Sequence, residues 1–254
     1  MKVQVLGGHG GLAKGYTTTS FLIDDRLLLD AGAAASTLPI EGQIRIENIL
    51  VSHCHMDHIK DLAFLSDNCF GLRARPFEVF THQTVKKAIK DHLLNDVVWP
   101  DFTVLPNAAN PTMVINAIEA EKEFELGDYK ILPVKVHHPL DAMGFIIERS
   151  GASLLFTCDT GPTERIWEFA RKVKNLKAIF TEVSFPNEMQ KVADLSDHHT
   201  PDSMRAEITK MPKDVPIILT HLKPNYKGII VEQLAAQKNP RIRILNADGD
   251  VFTF

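Results

Sequence analysis

Three histidines and one aspartate stand within six consecutive positions in the first part of the chain. They are His53, His55, Asp57 and His58, and they follow the apolar run 49–51. In the extended segment that leaves a strand, side chains two positions apart point the same way, so His53 and His55 can face one point. Asp57 and His58 fall in the next turn and can face a neighbouring point. Imidazole and carboxylate groups suit zinc, iron or manganese, so this spacing predicts ligands for two adjacent metal ions.

A solvated or core-satisfied histidine cluster is the alternative interpretation of the same segment. That interpretation usually holds for one isolated histidine. Here, however, four ligand-type groups crowd one strand end, and they would repel each other on protonation if no metal held them. The crowding therefore favours the metal interpretation.

Further metal-type or acid–base side chains stand directly after apolar runs in the second half of the chain. They are His137 and His138 after 134–136, Asp159 after 155–158, Glu182 after 179–181 and His221 after 217–220. Several such endings together indicate that the ends of the sheets converge on a single cleft. Asp30 ends the run 27–29 in the same way, as an N-cap, as a carboxylate that orients a metal-bound histidine, or as both.

The composition limits the classes of function. With 254 residues, 44% hydrophobic and 24% charged, the chain is of the ordinary globular kind, with one large or two small domains. A net charge of −4 argues against binding of extended nucleic acid and favours a small anionic substrate. Three cysteines without a CxxC pair favour a reducing compartment. Because neither a signal-peptide core nor an apolar run of bilayer length is visible, we expect a cytoplasmic protein without a membrane partner.

The periodicity of apolar residues predicts strands in the first half and alternating strands and helices later. The predicted helices are 57–66, 84–94, 163–172, 201–210 and 229–237. The predicted strands are 3–6, 17–23, 27–30, 78–81, 113–118, 129–136, 145–148, 154–157, 178–181, 217–220 and 242–245. Thr200 followed by Pro201 indicates the start of a helix. Two strand-rich halves with helices outside predict one domain over residues 1–254, an α/β (α+β) four-layer αββα sandwich.

The motifs HCHMDH, TCDTG and LTHLKP, in this order, resemble the successive metal motifs of the metallo-β-lactamase superfamily. Within that superfamily, the segments 95–102, 182–187, 196–201 and 221–224 resemble those of the class II 3′,5′-cyclic nucleotide phosphodiesterases. The resemblance covers nearly the whole chain. It implies the metallo-β-lactamase fold.

The resemblance also implies two divalent metal ions. Zinc is the preferred metal, and manganese and iron are the alternatives. The implied ligands are His53, His55 and His138 for the first ion, Asp57, His58 and His221 for the second, and Asp159 bridging both. His138 is preferred to His137 because its spacing to Gly144 resembles that of the transfer-RNA 3′-processing phosphodiesterases. His137 stays open as the alternative.

The activity implied by the resemblance is that of a phosphodiesterase. Such an enzyme would hydrolyse cyclic AMP or cyclic GMP to the nucleoside 5′-monophosphate by in-line attack of a metal-bridging hydroxide, with Asp57 among the catalytic residues. Glu182 and His199 would help to protonate the leaving group, a contribution of about 10²–10⁴ in rate. His199 is preferred because it directly precedes the Thr-Pro that opens a helix, and His198 is the alternative. Asp197 and His198 precede His199 where the family often has a glycine.

Three other functions compete with this hypothesis. An RNA 3′-end processing phosphodiesterase is disfavoured by the acidic net charge and by the lack of an obvious basic arm. A thioester or lactam hydrolase of the same fold needs no proton donor such as Glu182 with His199. A non-catalytic cyclic-nucleotide binding protein is disfavoured by the complete ligand set. The expected partner is a small anionic nucleotide, and a homodimer is left open.

Overall fold

The computed structural model describes residues 1–245 and 249–254. Its strands are β1 (Lys2–Gly7), β2 (Ser20–Ile23), β3 (Leu27–Leu29), β4 (Asn48–Leu50), β5 (Phe77–His82), β6 (Pro106–Asn107), β7 (Asn110–Pro111), β8 (Met113–Ile118), β9 (Phe124–Leu126), β10 (Tyr129–Lys135), β11 (Met143–Arg149), β12 (Ala152–Phe156), β13 (Leu176–Glu182), β14 (Ile217–Thr220), β15 (Ile242–Ile244) and β16 (Val251–Thr253). Its α-helices are α1 (Ala34–Thr37), α2 (Ile40–Ile44), α3 (Met56–Asn68), α4 (Gln83–His92), α5 (Arg165–Ala170), α6 (Gln190–Leu195), α7 (Pro201–Ile208) and α8 (Lys227–Ala236). The described residues divide into two compact units.

Unit 1 contains Met1–Gly7, Thr17–Glu119 and β16. Within its described residues, seven strands form a sheet in the order β16-β1-β2-β3-β4-β5-β8. The pairs from β3 to β8 are parallel, and helices provide the crossovers that parallel strands require. On α3, Ile59, Leu62, Ala63 and Ser66 are buried, which is the spacing of one face of a helix. This face packs α3 into the apolar core of the unit and so holds the helix that follows the histidine-rich segment.

Unit 2 contains Gly8–Tyr16, the chain from Ala120 to Leu245, and Phe254. Its described residues also form a seven-stranded sheet, in the order β15-β14-β13-β12-β11-β10-β9. The pairs β12–β13 and β13–β14 are parallel, whereas β10–β11 and β11–β12 are antiparallel. It follows that β10, β12, β13 and β14 all run in one direction, and their carboxyl ends lie at the same edge of the sheet.

Most of the predicted elements are present with small shifts of their ends. The predicted strand 17–23 is shorter, because β2 begins only at Ser20. Thr17 and Thr18 instead donate side-chain hydrogen bonds to the carbonyls of Leu6 and Gly32, which compete with strand pairing. The elements α1, α2, α6, β6, β7, β9 and β16 were not predicted, and each has six residues or fewer, too short for a periodic signal.

The predicted start of α7 is confirmed in detail. Thr200 accepts a hydrogen bond from the backbone of Ser203, and the Ser203 hydroxyl accepts one from the backbone of Thr200. This reciprocal capping box, with Pro201 at the first helical position, explains why the helix starts there. The prediction of one domain over residues 1–254 stays a prediction. Among the described residues, no helix is long and apolar enough to cross a membrane.

Candidate metal and acid–base site

The histidine-rich segment of unit 1 connects the end of β4 with the first turn of α3. His53 Nε2 and His55 Nδ1 lie 3.1 Å apart, so the two rings direct nitrogens to one point. His55 is the extended N-cap of α3, and Asp57 and His58 lie in its first turn. One ligand atom each of Asp57 and His58 lies within 4.8 Å of the other. The pairing expected from the spacing of these four residues is therefore present within the unit.

Asp30 is the buried carboxylate that holds this segment in place. Its Oδ2 lies 2.8 Å from His58 Nδ1, and it accepts hydrogen bonds from the backbone and the hydroxyl of Ser52. The Ser52 hydroxyl also lies 3.0 Å from His53 Nδ1. Because the Nδ1 atoms of His53 and His58 are engaged in this way, their Nε2 atoms are the ring nitrogens left to bind a metal. Asp30 thus contacts His58 as the orienting role requires, and it does not cap α1, whose N-cap is Ala33. Ser52 was not identified from the sequence.

The backbone after Asp30 packs directly against the start of α3. The amide of Ala31 donates to the carbonyl of His58, and the amide of Asp61 donates to the carbonyl of Ala31. A Cβ atom on Gly32 would collide with the carbonyl oxygen of Asp57. Glycine is therefore required at position 32, because any side chain would push the metal-type residues of α3 away.

In unit 2, His138, Asp159 and His221 follow the carboxyl ends of β10, β12 and β14. All three are buried, and His221 Nε2 lies 3.1 Å from Asp159 Oδ2. One ligand atom of His138 lies within 4.8 Å of one of Asp159. The common direction of the three strands brings these residues together although 83 positions separate the first from the last in the sequence.

His221 has a φ of +60°, a conformation that is uncommon for a residue with a side chain. The glycine-rich turn of the same unit holds it there, since the His221 amide donates to the carbonyl of Gly8. A Cβ on Gly10 would lie 2.6 Å from the His221 carbonyl oxygen and 2.7 Å from ring atom Cδ2. The turn that contains Gly8 and Gly10 therefore positions a histidine.

The adjacent residues His137 and His138 have different surroundings. The side chain of His137 is 59% exposed, and its Nδ1 lies 3.2 Å from the carbonyl oxygen of Pro162. His138 is buried beside Asp159 and belongs to a group of ligand-type atoms, to which His137 does not belong. This geometry favours His138 as the ligand, and its role as a ligand stays a prediction.

Glu182, at the end of β13, contacts the ring of only one of the two adjacent histidines His198 and His199. Its Oε1 lies 2.8 Å from His198 Nδ1, and its Oε2 accepts a hydrogen bond from the hydroxyl of Ser184. The ring of His198 stacks on that of His221 at a centroid distance of 5.5 Å. The expected pairing of Glu182 with the His199 side chain is wrong, because only the backbone amide of His199 reaches the carboxylate.

The His199 ring lies instead at the start of α7. Its Nδ1 is 3.0 Å from the Ser203 hydroxyl, and its buried Nε2 makes no hydrogen bond within the described ranges. The physical reason is that successive side chains of an extended segment point to opposite sides, so two adjacent histidines cannot both face Glu182. The position of His199 directly before Thr-Pro, which favoured it in the sequence, indicates the start of α7 and not a contact with Glu182.

The pKa values of these three groups follow their surroundings. Burial lowers the pKa of His198, but the charge and hydrogen bond of Glu182, with the charge of Asp159, outweigh burial and raise that pKa to about 8. Burial raises the pKa of Glu182, and the charge and hydrogen bond of His198 offset this, so the carboxyl pKa is held below its usual range. For His199, burial dominates and lowers the pKa. Without a metal, His198 and Glu182 thus form an ion pair, whereas His199 is neutral.

The donor set in each unit fits a divalent metal ion of the zinc type. Each unit supplies imidazole nitrogens and a carboxylate at short mutual distances, and such mixed sets suit zinc, iron or manganese. Cys54 lies within the histidine-rich segment, but burial raises the pKa of its thiol, which disfavours the thiolate that would bind a metal. The ligand-type side chains of both groups are thus histidine and aspartate.

The comparisons with known proteins agree with these observations. A family model described as a beta-lactamase superfamily domain matches residues 25–222. A probable 3′,5′-cyclic-nucleotide phosphodiesterase of Yersinia pestis is 24% identical over 280 aligned positions, which cover 89% of this chain and 79% of that protein. The 3′,5′-cyclic-nucleotide phosphodiesterase 1 of Saccharomyces cerevisiae is 21% identical over 232 positions, which cover 79% of this chain and 60% of the relative.

The solved structures lead to the same fold. The crystal structure of unliganded yeast PDE1 matches with a TM-score of 0.83 at 17% identity, over 99% of both chains. The predicted α/β class and metallo-β-lactamase fold are thereby confirmed, and the fold is that of a metal-dependent hydrolase. Because the family model covers most of the chain and includes the ligand-type residues of both units, this chain belongs to the beta-lactamase superfamily.

Proposed function

We propose that this protein is a dinuclear metal-dependent phosphodiesterase that hydrolyses 3′,5′-cyclic nucleotides to nucleoside 5′-monophosphates. The observation that carries the proposal is the buried Glu182–His198 pair, which stacks on the ligand-type residue His221. The two curated relatives named as cyclic-nucleotide phosphodiesterases support the substrate class. The net charge of −4 supports a small nucleotide over a nucleic-acid chain.

Seven residues hold the two ions in this proposal. They are His53, His55 and His138 for one ion, Asp57, His58 and His221 for the other, and Asp159 for both. Support comes from the short distances between ligand atoms within each unit and from a single family model that spans all seven. When bound, two divalent ions supply charge neutralisation at the phosphoryl oxygens and a water of lowered pKa.

The chain itself supplies the proton for the leaving group. In the reaction, a water oxygen forms a bond to phosphorus, the bond from phosphorus to O3′ breaks, and O3′ takes up a proton. Glu182 engages Nδ1 of His198, so Nε2 is the ring nitrogen from which that proton comes. A proton donor in this position contributes a factor of about 10²–10⁴.

This proton donor also favours a phosphodiester over a thioester substrate. A thiol has a pKa of about 8.5 and leaves as the anion, whereas a sugar alkoxide is far more basic and needs protonation. A buried carboxylate–histidine pair is required for the second leaving group and not for the first. The pair therefore serves a phosphodiesterase better than a thioesterase.

The test is a substrate panel with protein loaded with Zn²⁺, Mn²⁺ or Fe²⁺. It contains cyclic AMP, cyclic GMP, the cyclic pyrimidine nucleotides, a transfer-RNA precursor and a thioester, with products identified by chromatography. We expect 5′-monophosphates from the cyclic nucleotides. If protein with two bound ions leaves every cyclic nucleotide intact, or if the product is the 3′-monophosphate, the proposal is wrong.

A matched pair of variants tests the role of His198 in this assay. His198→Gln should slow cyclic-nucleotide hydrolysis, and His92→Gln, at an exposed position of α4, should not. Both variants should keep their metal content. An equal effect of the two substitutions would contradict the assigned proton donor.

A further inference from the structure

Two short segments of unit 2 lie side by side, one at positions 137–138 and the other at 197–198. The rings of His138 and His198 have a centroid distance of 5.5 Å, and His137 Nε2 lies 3.7 Å from Asp197 Oδ1. His138 and His198 are buried, at 8% and 7% exposure. The side chains of His137 and Asp197 are 59% and 20% exposed. The cluster thus has an inner row beside the ligand-type residues and an outer row at the surface.

A third segment, which carries Asp159, fixes the outer row. The amide of His137 donates to the Thr160 hydroxyl at 3.2 Å, and the amide of Gly161 donates to the His137 carbonyl at 2.8 Å. A Cβ on Gly161 would lie only 3.2 Å from Asp197 Cα, so the two backbones are in close contact. Asp197 is therefore held at a defined position relative to the Asp159 loop.

The backbone of Asp197 is left-handed, with a φ of +50°. Aspartate tolerates this conformation largely because its carboxylate can bond to the nearby backbone. Within residues 1–245 and 249–254, however, the Asp197 carboxylate accepts no hydrogen bond, since the 3.7 Å to His137 exceeds hydrogen-bond distance. The outer row thus presents a carboxylate that can accept a hydrogen bond from a bound donor.

We infer that Asp197 accepts a hydrogen bond from the ribose 2′-hydroxyl of the substrate and so makes the enzyme selective for ribonucleotides. This inference rests on the proposed function. There, His198 delivers the proton to O3′, and the 2′-hydroxyl sits on the neighbouring carbon of the sugar. Asp197 and His198 belong to the outer and inner rows of the same cluster, so the two adjacent oxygens of the sugar are placed against these two side chains. The ribose then extends from the buried row toward the exposed one.

The expected size of the preference for a substrate with a 2′-hydroxyl follows from the negative charge of the acceptor. A hydrogen bond to a carboxylate is stronger than one between neutral groups, and losing it costs about ten- to a hundredfold in kcat/KM. A substrate without the 2′-hydroxyl should lose that factor with the native enzyme. An enzyme without the carboxylate should show little of this loss.

The experiment compares kcat/KM for cyclic AMP and 2′-deoxy cyclic AMP with the metal-loaded native protein and with Asp197→Gly. Glycine adopts a φ of +50° without strain, so this variant removes the carboxylate and leaves the turn intact. We expect the native protein to prefer cyclic AMP by about ten- to a hundredfold. In Asp197→Gly the preference should approach the intrinsic difference between the two substrates, chiefly through a lower kcat/KM for cyclic AMP.

Asp214→Gly is the matched control. Asp214 is exposed, has a φ of +61°, and precedes β14, whereas His221 follows the opposite end of that strand. This variant removes the same charge at the same kind of backbone position and should keep the native preference.

The outcomes separate this inference from the proposed function. If the native protein hydrolyses both substrates equally well, or if Asp197→Gly slows both by the same factor, the inference is wrong and the phosphodiesterase stands. If the native protein hydrolyses neither substrate nor any other cyclic nucleotide, the proposed function is wrong and the inference falls with it.

Discussion

Each unit of this protein contains a buried carboxylate that contacts Nδ1 of a buried histidine, and these two pairs differ in the surroundings of the histidine. In unit 1, Asp30 lies 2.8 Å from His58 Nδ1, and His58 Nε2 lies 3.9 Å from the carboxylate of Asp57. In unit 2, Glu182 lies 2.8 Å from His198 Nδ1, and His198 belongs to neither group of metal-type ligand atoms. In our proposal, the same kind of pair thus orients a metal ligand in one unit and a proton donor in the other.

The difference shows that a contact with a carboxylate does not by itself define the role of a histidine. What decides the role is the environment of the second ring nitrogen. A ring nitrogen that is grouped with other ligand-type atoms is suited to a metal ion, whereas one outside such a group can carry a proton. Six substitutions test this comparison, from the largest expected effect to the smallest.

The largest effect is expected for Asp57→Ala, which removes a ligand next to His58. Losing one ion costs several kcal/mol of transition-state stabilisation, so activity on cyclic nucleotides should fall to about one-thousandth or less. Metal analysis should give one ion per chain in place of two. Asp67→Ala, at an exposed position of the same helix, should change neither value. Two ions with normal turnover in Asp57→Ala would contradict the ligand assignment.

His198→Gln should remove the proton donor and leave both ions bound. The kcat for cyclic nucleotides should fall by about 10²–10⁴. With bis(4-nitrophenyl) phosphate the loss should be much smaller, because 4-nitrophenolate leaves without being protonated. Equal losses on both substrates would show that His198 acts in some other way.

His199→Gln distinguishes the two adjacent histidines. Since the His199 ring contacts Ser203 and not Glu182, this variant should affect both phosphodiesters alike. A loss confined to cyclic nucleotides, with His198→Gln unaffected, would restore His199 as the proton donor.

Asp30→Asn and Glu182→Gln compare the two carboxylates directly. Asp30→Asn should weaken metal binding by about 10- to 100-fold, because an amide neither orients the His58 ring as a carboxylate does nor raises its basicity. Excess metal should restore turnover. Glu182→Gln should lower kcat without changing the metal affinity. Titration of the metal-free variants with Zn²⁺, combined with kinetics, measures both quantities; the same response of the two variants would remove the distinction between the pairs.

The smallest effect concerns the helix starts that carry these histidines. Thr200 caps α7 after His199, whereas the N-cap of α3, His55, makes no side-chain cap. Thr200→Ala should lower the free energy of unfolding by about 1 kcal/mol. Denaturant unfolding measures this change, with Thr209→Ala at the exposed end of the same helix as the control. An unchanged free energy of unfolding would mean that packing alone holds the segment.

Much of the fold was predictable because its elements carry local patterns. The strands Met113–Ile118 and Ile217–Thr220 have the predicted bounds, and α7 starts at the predicted residue. Elements such as α1, with four residues, were missed because they are shorter than the period that reveals a helix.

The sequence by itself determined the ligand-type residues from His53 to His58, since the direction of side chains over six positions follows from local backbone geometry. It also determined that metal-type and acid–base residues end the strands of unit 2. The tertiary structure alone decided which partners these residues have: Asp30 for His58, Glu182 for His198 and not His199, and the buried His138 beside Asp159. These choices depend on distances between segments far apart in the chain, and sheet register and packing set those distances, not any local pattern.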